Sequence, residues 1–302
     1  MTDTSTSLRP ISPRSDRAQA DGAVQQDRRA LPVIVAIGGS DSSGGAGIQA
    51  DLKTVAASGG YARTVVTAIT AQHSGGVVAL WPVPVASIEA QLRAAYLDTP
   101  PVAVKTGMLA NRETVELVAR VLRELGAPRL VVDPVVRSSS GAALLDDAGV
   151  EALRALLLPL AMLVTPNAAE AALLSGIEVH TPADAIEAAR RILALGAGAV
   201  LVTGGHLASE PGTDVLVTPE GTRVFIGEFL PGREVHGTGC ALASAIATRL
   251  ALGDSIEAAV DAAKAYVSRL IATAMRVGPG ALMPDHLAAA ASITAAPTGG
   301  GR

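Results

Sequence analysis

The chain has 302 residues, of which 49% are hydrophobic, 17% charged and 2% aromatic, with a net charge of -4 and one cysteine, Cys240. That length supports one large core or two modest domains, filled by alanine, valine and leucine rather than rings. Three lysines (Lys53, Lys105, Lys264) and no basic block argue against a nucleic-acid partner. A single cysteine excludes an intrachain disulfide and suits a reducing cytoplasm.

In chain order, residues 1–31 are polar, without an apolar run, and read as a disordered extension rather than a secretory or transit signal. Residues 32–290 read as one domain, and 291–302 as a disordered tail. Val33 to Ile37 predicts a first buried strand, followed by a glycine loop and a helix over Ile48 to Ala57. Thr64 to Ile69 and Val77 to Trp81 predict strands, and Val85, Ile88, Leu92 and Tyr96 a helix face. Val102 to Lys105 is a short strand, with Val115, Val118, Leu122 and Leu125 as the next helix face. Leu130 to Val132 ends a strand at Asp133-Pro134. Val150, Leu153 and Leu157 suggest a helix, Leu160 to Val164 a strand, and Thr165-Pro166-Asn167 a helix start. Ile186, Ala189 and Leu193 give another helix, Ala199 to Val202 a strand, and Asp214 to Val217 with Arg223 to Ile226 a small hairpin. After Cys240 the chain reads as helical to about Ala274.

Two uncharged stretches, Thr64 to Ile88 and Ile192 to Ser209, are broken by glycines or prolines, so they suit buried strands and not membrane spans. Strands alternating with helices imply an α/β fold: a central, mostly parallel sheet with helices on both faces. Ligands in such sheets bind where strand C-terminal ends meet helix N-termini. Gly38 to Gly47, Gln72, Asp133, Asn167 to Glu170, Gly204-Gly205 and Gly237 to Cys240 all fall at such junctions.

Val235-His236-Gly237-Thr238-Gly239-Cys240 runs into a small-residue helix. Free N–H groups in its first turn favour an anion, and the same field favours a thiolate. The pattern points to phosphoryl transfer. A lone cysteine is also commonly a small buried hydrophobe, and glycines also serve tight turns. Gly38 to Gly47 lacks the Gly-Lys-Ser/Thr of a P-loop and the spacing of a dinucleotide fingerprint.

Gly39 to Thr54, reading Gly-Ser-Asp-Ser-Ser-Gly-Gly-Ala-Gly-Ile-Gln-Ala-Asp-Leu-Lys-Thr, resembles the opening signature of the hydroxymethylpyrimidine/phosphomethylpyrimidine kinases, ribokinase-like enzymes of thiamine biosynthesis. Thr67 to Gln72, Gly107 to Leu109, Asp133 to Val135, Thr165 to Ala171, Gly204 to His206 and His236 to Cys240 follow in that family's order. The resemblance covers about Val33 to Ala274. It implies a ribokinase-like fold, a cytoplasmic homodimer, and ATP-dependent phosphorylation of the hydroxymethyl aminopyrimidine and then of its monophosphate.

The resemblance also assigns roles. Gln72, Asp51, Gly39, Ala46 and Met108 would bind the pyrimidine. An amide offers both a donor and an acceptor to such a ring. Asp133, Asn167, Thr203 and Gly205 would bind ATP, with Glu170 and Asp133 organising Mg²⁺, which prefers oxygen ligands. Gly237, Thr238, Gly239 and Cys240 would be catalytic, the thiolate accepting or orienting the substrate hydroxyl's proton.

Simpler readings stand beside these: Gln72 capping strand ends, Asp51 as a solvent-facing charge, Met108 as core, and Asn167-x-x-Glu170 as a capping box. Three positions depart from the family pattern. Thr203 stands where lysine is common, which leaves Lys105 or an arginine such as Arg137 to supply the charge. His73 replaces an asparagine and Val136 a methionine. A pyridoxal kinase of the same superfamily, and a pyrimidine-binding module without catalysis, remain as alternatives.

Overall fold

The computed structural model describes residues 31–138, 141–205, 207, 209–227 and 230–294. Among them, one sheet holds nine strands: β1 (Val33–Asp41), β2 (Tyr61–His73), β3 (Gly76–Pro82), β4 (Ala103–Thr106), β5 (Leu130–Val132), β6 (Leu163–Val164), β7 (Val200–Val202), β8 (Thr213–Thr218) and β9 (Gly221–Ile226). Their order is β3-β2-β1-β4-β5-β6-β7-β8-β9. The strands from β2 to β7 in that order run parallel, and β3, β8 and β9 are antiparallel additions at the two edges.

The period-2 alternation of β1 sorts its side chains to two cores. Val35 and Ile37 pack with α2 (Val85–Leu97), α3 (Arg112–Leu125), α4 (Asp147–Ala152), α5 (Ala168–Ser175) and α6 (Pro182–Leu193). Ile34 faces the other way, toward α1 (Gly47–Ala57), α7 (Thr238–Ala251), α8 (Ile256–Thr273) and α9 (His286–Thr294). Both faces of the sheet are covered, as expected from strands that read as continuous apolar runs. No described helix is long and apolar enough to cross a membrane.

Four expectations change. β1 does not stop at Ile37 but runs through Gly38 and Gly39 to Asp41, with a bulge between Gly38 and Ser40 that shifts its pairing with β2. Glycine tolerates that extended, bulged path, so the loop proper is only residues 42–46. The helix after Cys240 is broken at Leu252 to Ser255. Gly253 has φ 100° and Ser255 caps α8 through Ala258 N–H, a stop-and-start signal that the sequence displays. Only Leu163–Val164 of the expected strand Leu160 to Val164 pairs, because a 3-10 turn occupies Leu158–Leu160. Finally, α9 adds a helix that the sequence reading did not place, and it crosses the expected 290–291 boundary.

Candidate active site

Every parallel strand except β1, which ends in the loop before α1, delivers its candidate residue at its C-terminal end. β2 carries Gln72, β4 leads to Met108, β5 to Asp133, β6 to Asn167 and β7 to Thr203. Parallel strands end on one edge, so residues scattered through the sequence share that rim.

The first glycine loop and the start of α7 touch. Gly237, the N-cap of α7, has φ 78°, and a Cβ there would lie 1.9 Å from the carbonyl oxygen of Gly45. A Cβ on Gly45 would in turn meet the His236 ring at 2.7 Å. Only glycine allows these backbones to approach so closely. No side chain caps the N-terminus of α7, so the N–H groups of its first turn, from Thr238, Gly239 and Cys240, stay available to an anion. Beyond Gly239 a Cβ would meet open space.

Below this cradle lies a buried charge cluster. Lys105 is 1% exposed and sits 2.9 Å from Asp51 Oδ1 and 3.7 Å from Asp133 Oδ2. Ser244 of α7 also donates to Asp51 Oδ1, at 2.7 Å. Asp51 is fully buried, which overturns its reading as a solvent-facing charge. Its Oδ2, and Asp133 Oδ2, are buried without a hydrogen-bond partner. A carboxylate oxygen left bare in an interior calls for a ligand donor or a cation. Lys105 is held protonated: burial opposes its charge, but Asp51 and then Cys240 and Asp133 overcome that. Committed to two aspartates, it is not a free cation for phosphate. Arg137 is exposed, with its guanidinium 3.2 Å from Gly141 O.

The Cys240 thiol corrects the expectation of a thiolate. Burial pushes it up to about 12; Lys105 opposes the rise, while Asp133 and Asp51 add to it. The helix field is real, but the cost of burying the charge outweighs it. The resting residue is a neutral thiol whose sulfur accepts from Gly47 N–H.

Asn167 and Glu170 form a capping box: Asn167 Oδ1 accepts from Glu170 N–H at 2.9 Å, and Glu170 Oε2 accepts from Asn167 N–H at 3.0 Å. The simpler reading of their spacing therefore holds. It does not exhaust Glu170, which is buried and raised to about 8, first by burial and then by the charge of Asp133. Burial likewise raises Asp133, against the pull of Lys105. Two buried carboxyls, both raised by burial and one with an oxygen that has no hydrogen-bond partner, suit a divalent cation with oxygen preference. Thr203 bridges to Asn167 and its N–H donates to Pro166 O, so the β6 and β7 ends are joined. Gly204 is packed against Thr213 O, whereas Gly205 borders open space. His206 lies outside the described residues.

On the other side, Gly39 abuts the Met108 side chain, where a Cβ would sit 3.1 Å from its sulfur. Met108 joins Ala68 and Leu144 in a small apolar cluster beside the cradle. Ala46 N–H donates to Asp41 Oδ2. Gln72 is half-buried, with its side-chain amide 2.9 Å from His236 Nε2, which is itself 3.0 Å from Asp41 Oδ2. Asp41, Ser244 and His236 are the contributors that motif reading left without a role in the site, and Lys105, read there as a stand-in cation for phosphate, is instead the partner of two aspartates. For Lys105 a signal existed: a lysine ending an apolar strand must find a buried partner.

Comparison with known proteins yields consistent matches. The profile of the family described as phosphomethylpyrimidine kinase matches residues 41–285. A hydroxymethylpyrimidine/phosphomethylpyrimidine kinase of Streptomyces coelicolor is 45% identical over 84% of this chain and 94% of its own. The thiamine biosynthesis bifunctional protein ThiED of Geobacter sulfurreducens is 43% identical over 86% of this chain, which spans 53% of that longer protein. Among solved structures, an ADP complex of Bacillus subtilis pyridoxal kinase superposes with TM-score 0.80 at 37% identity, covering 85% of this chain and 98% of that one. The expected ribokinase-like α/β architecture is borne out.

Proposed function

The chain belongs to the phosphomethylpyrimidine kinase family, and on that premise we propose that it phosphorylates 4-amino-5-hydroxymethyl-2-methylpyrimidine with ATP and then converts the monophosphate to the diphosphate. The carrying observation is the contact between the glycine loop at Gly45 and the uncapped start of α7 at Gly237, with Gln72 beside His236 and with Asp51 and Asp133 both held on Lys105.

In this reading Gln72 and the bare oxygen of Asp51 hydrogen-bond the aminopyrimidine, while Gly39, Ala46 and Met108 shape the apolar wall for its ring. The N–H groups of Gly237, Thr238, Gly239 and Cys240 line the phosphoryl path and stabilise charge on the transferring group. Positioning and electrostatics supply most of such catalysis. The neutral Cys240 thiol orients the attacking hydroxyl, whose proton passes to an oxygen of the transferring phosphoryl group as the new P–O bond forms and the bond to the departing ADP breaks; the fixed charge of Lys105 adds to the positive field there. Asn167, Thr203 and Gly205 flank the nucleotide at the β6–β7 rim. Glu170 and Asp133 would hold Mg²⁺, which when bound supplies positive charge to the phosphate oxygens.

Incubating the purified chain with MgATP and the hydroxymethyl aminopyrimidine, then weighing the products, tests this. Mono- and diphosphate are expected; ATP consumption without either sinks the reading. The likeness to pyridoxal kinase favours a second activity, so pyridoxal belongs in the same assay as a competitor.

We further infer a cytoplasmic homodimer. Ile69 of β2 and Trp81 of edge strand β3 are register partners, 53% and 56% exposed, and Val78 is 71% exposed. An apolar sheet edge of this kind is suited to a self-complementary contact. Light scattering on Trp81→Glu should report monomers; an unchanged mass would place the contact elsewhere.

A further inference from the structure

His236 stands one residue before the N-cap of α7, and its ring is buried against Gly45. Its backbone N–H is tied to Leu282 O at 2.9 Å. Two groups converge on the same ring nitrogen: Asp41 Oδ2 at 3.0 Å and the Gln72 side-chain amide at 2.9 Å. One imidazole nitrogen carries either a hydrogen or a lone pair, so it cannot serve an acceptor and a donor together.

Asp41 decides between them. Its carboxylate accepts from Ser43 N–H, Ser43 Oγ and Ala46 N–H at 2.8–2.9 Å. Burial would raise its carboxyl, but the bonds from His236, Ser43 and Ala46 hold it at about 2. An ionised carboxylate only accepts, so Nε2 of His236 must carry the hydrogen. The group of Gln72 that faces it must then be the carbonyl oxygen, because an amide NH₂ against an N–H has no bond to make.

The far end of the amide gives the same answer. Thr70 Oγ1 lies 3.0 Å from Ser40 O and 3.3 Å from the other amide atom of Gln72. Its single hydroxyl hydrogen goes to Ser40 O, so Thr70 can only accept from Gln72, which requires the NH₂ on that side. Oxygen and nitrogen of a side-chain amide are distinguished by such networks rather than by shape. The Gln72 backbone is fixed as well, since its N–H donates to Ser42 Oγ and its carbonyl accepts from the same hydroxyl, both at 2.8 Å.

We propose that the Asp41–His236 pair is a positioning device for Gln72: it holds the amide carbonyl toward the imidazole N–H and leaves one amide N–H uncommitted for an acceptor nitrogen of a heterocyclic ligand. The inference rests on the reading of Gln72 as a ring-binding residue and adds the group that orients it. It also links ring recognition to the phosphoryl cradle, since His236 adjoins Gly237.

Steady-state kinetics with the hydroxymethyl aminopyrimidine tests it. His236→Phe should raise KM by at least about tenfold while kcat changes less than about threefold, as loss of one oriented hydrogen bond in ground-state binding predicts. His236→Gln, whose amide N–H can occupy the place of Nε2–H, should recover most of that loss. An unchanged KM in His236→Phe, a loss confined to kcat, or equal losses in both variants overturns the proposal. Should the variants fail to fold, ¹⁵N–¹H spectra of the wild-type protein decide. A hydrogen on Nε2 of His236 is expected, and a bare Nε2 is fatal. Gln72→Ala separates the two layers: no effect on KM removes the ring-binding reading itself. A raised KM there with an unaffected His236→Phe removes only the positioning role.

Discussion

The carbonyl oxygen of Gly45 occupies the space that a side chain on Gly237 would need, with a Cβ separation of only 1.9 Å. Gly237 also has φ 78°, so Gly237→Ala combines backbone strain with a backbone clash. It should cost roughly 2–4 kcal/mol of stability and lower turnover by about a hundredfold or more. Gly239→Ala is the control, because a Cβ there meets open space. Its melting temperature should be unchanged or slightly higher, as alanine favours a helix interior by up to about 1 kcal/mol. Equal melting temperatures for the two variants would contradict the described contact.

Cys240 is protonated in the resting site. With the thiol raised to about 12, the thiolate fraction at pH 7.5 is minute, and alkylation by iodoacetamide should quicken about tenfold per pH unit from 7 to 10. A plateau below pH 9 would mean a thiolate stabilised after all. Cys240→Ser should leave pyrimidine binding intact and reduce kcat by up to about a hundredfold, as misplacement of the reacting hydroxyl predicts. Unchanged turnover would remove the sulfur from the positioning of that hydroxyl.

Lys105 neutralises two buried carboxylates. Lys105→Met leaves Asp51 and Asp133 without their cation and should destabilise by about 3–5 kcal/mol, the usual result of removing one partner of a buried pair. Adding Asp51→Asn should restore part of that loss, since the two sites touch and their effects are coupled. Strict additivity in chemical denaturation would show that the pair contributes nothing jointly.

His286 gives the fold an acid-sensitive element outside the proposed catalytic residues. Its ring is buried, with Nδ1 2.8 Å from the Tyr266 hydroxyl, and burial first, then Lys53, lowers it from 6.5 to about 4. Between those two values the unfolded chain binds the proton that the folded ring refuses. Stability is therefore full above about pH 6.5 and declines as pH falls to about 4, by about 3 kcal/mol for this group. Urea midpoints of His286→Phe should show a shallower decline than wild type across that window. Parallel curves would exclude His286 as the source.

The alternation of apolar strands and amphipathic helices made the architecture legible, and glycines together with Asp133-Pro134 and Pro166-Asn167 placed the motifs at strand ends. The interruption at Leu252 to Ser255 was readable too, since Leu-Gly-Asp-Ser is a stop followed by a cap; the in-phase apolar residues on either side masked it. What sequence could not supply was proximity. Lys105 becomes the centre of a charge cluster only because β1, β4 and β5 are neighbours, and that order is not written in any local pattern. The state of Cys240 was misread for the same reason. The helix start is visible in Gly-Thr-Gly-Cys, whereas the burial that outweighs it, to which Asp133 and Asp51 add, exists only in the packed fold. His236 and Asp41 sit in the last and the first of the motifs, and their hydrogen bond emerges only when the first loop meets α7.

The two walls of the phosphoryl cradle come from opposite ends of the chain: the loop before α1 is made early, and α7 late. During synthesis, therefore, the central strands can assemble before any competent kinase exists, because Gly45 waits for Gly237. A nascent chain interrupted ahead of α7 would be a sheet with an open rim, unable to spend nucleotide. A backbone contact between one of the first segments made and one of the later ones is what switches the molecule on.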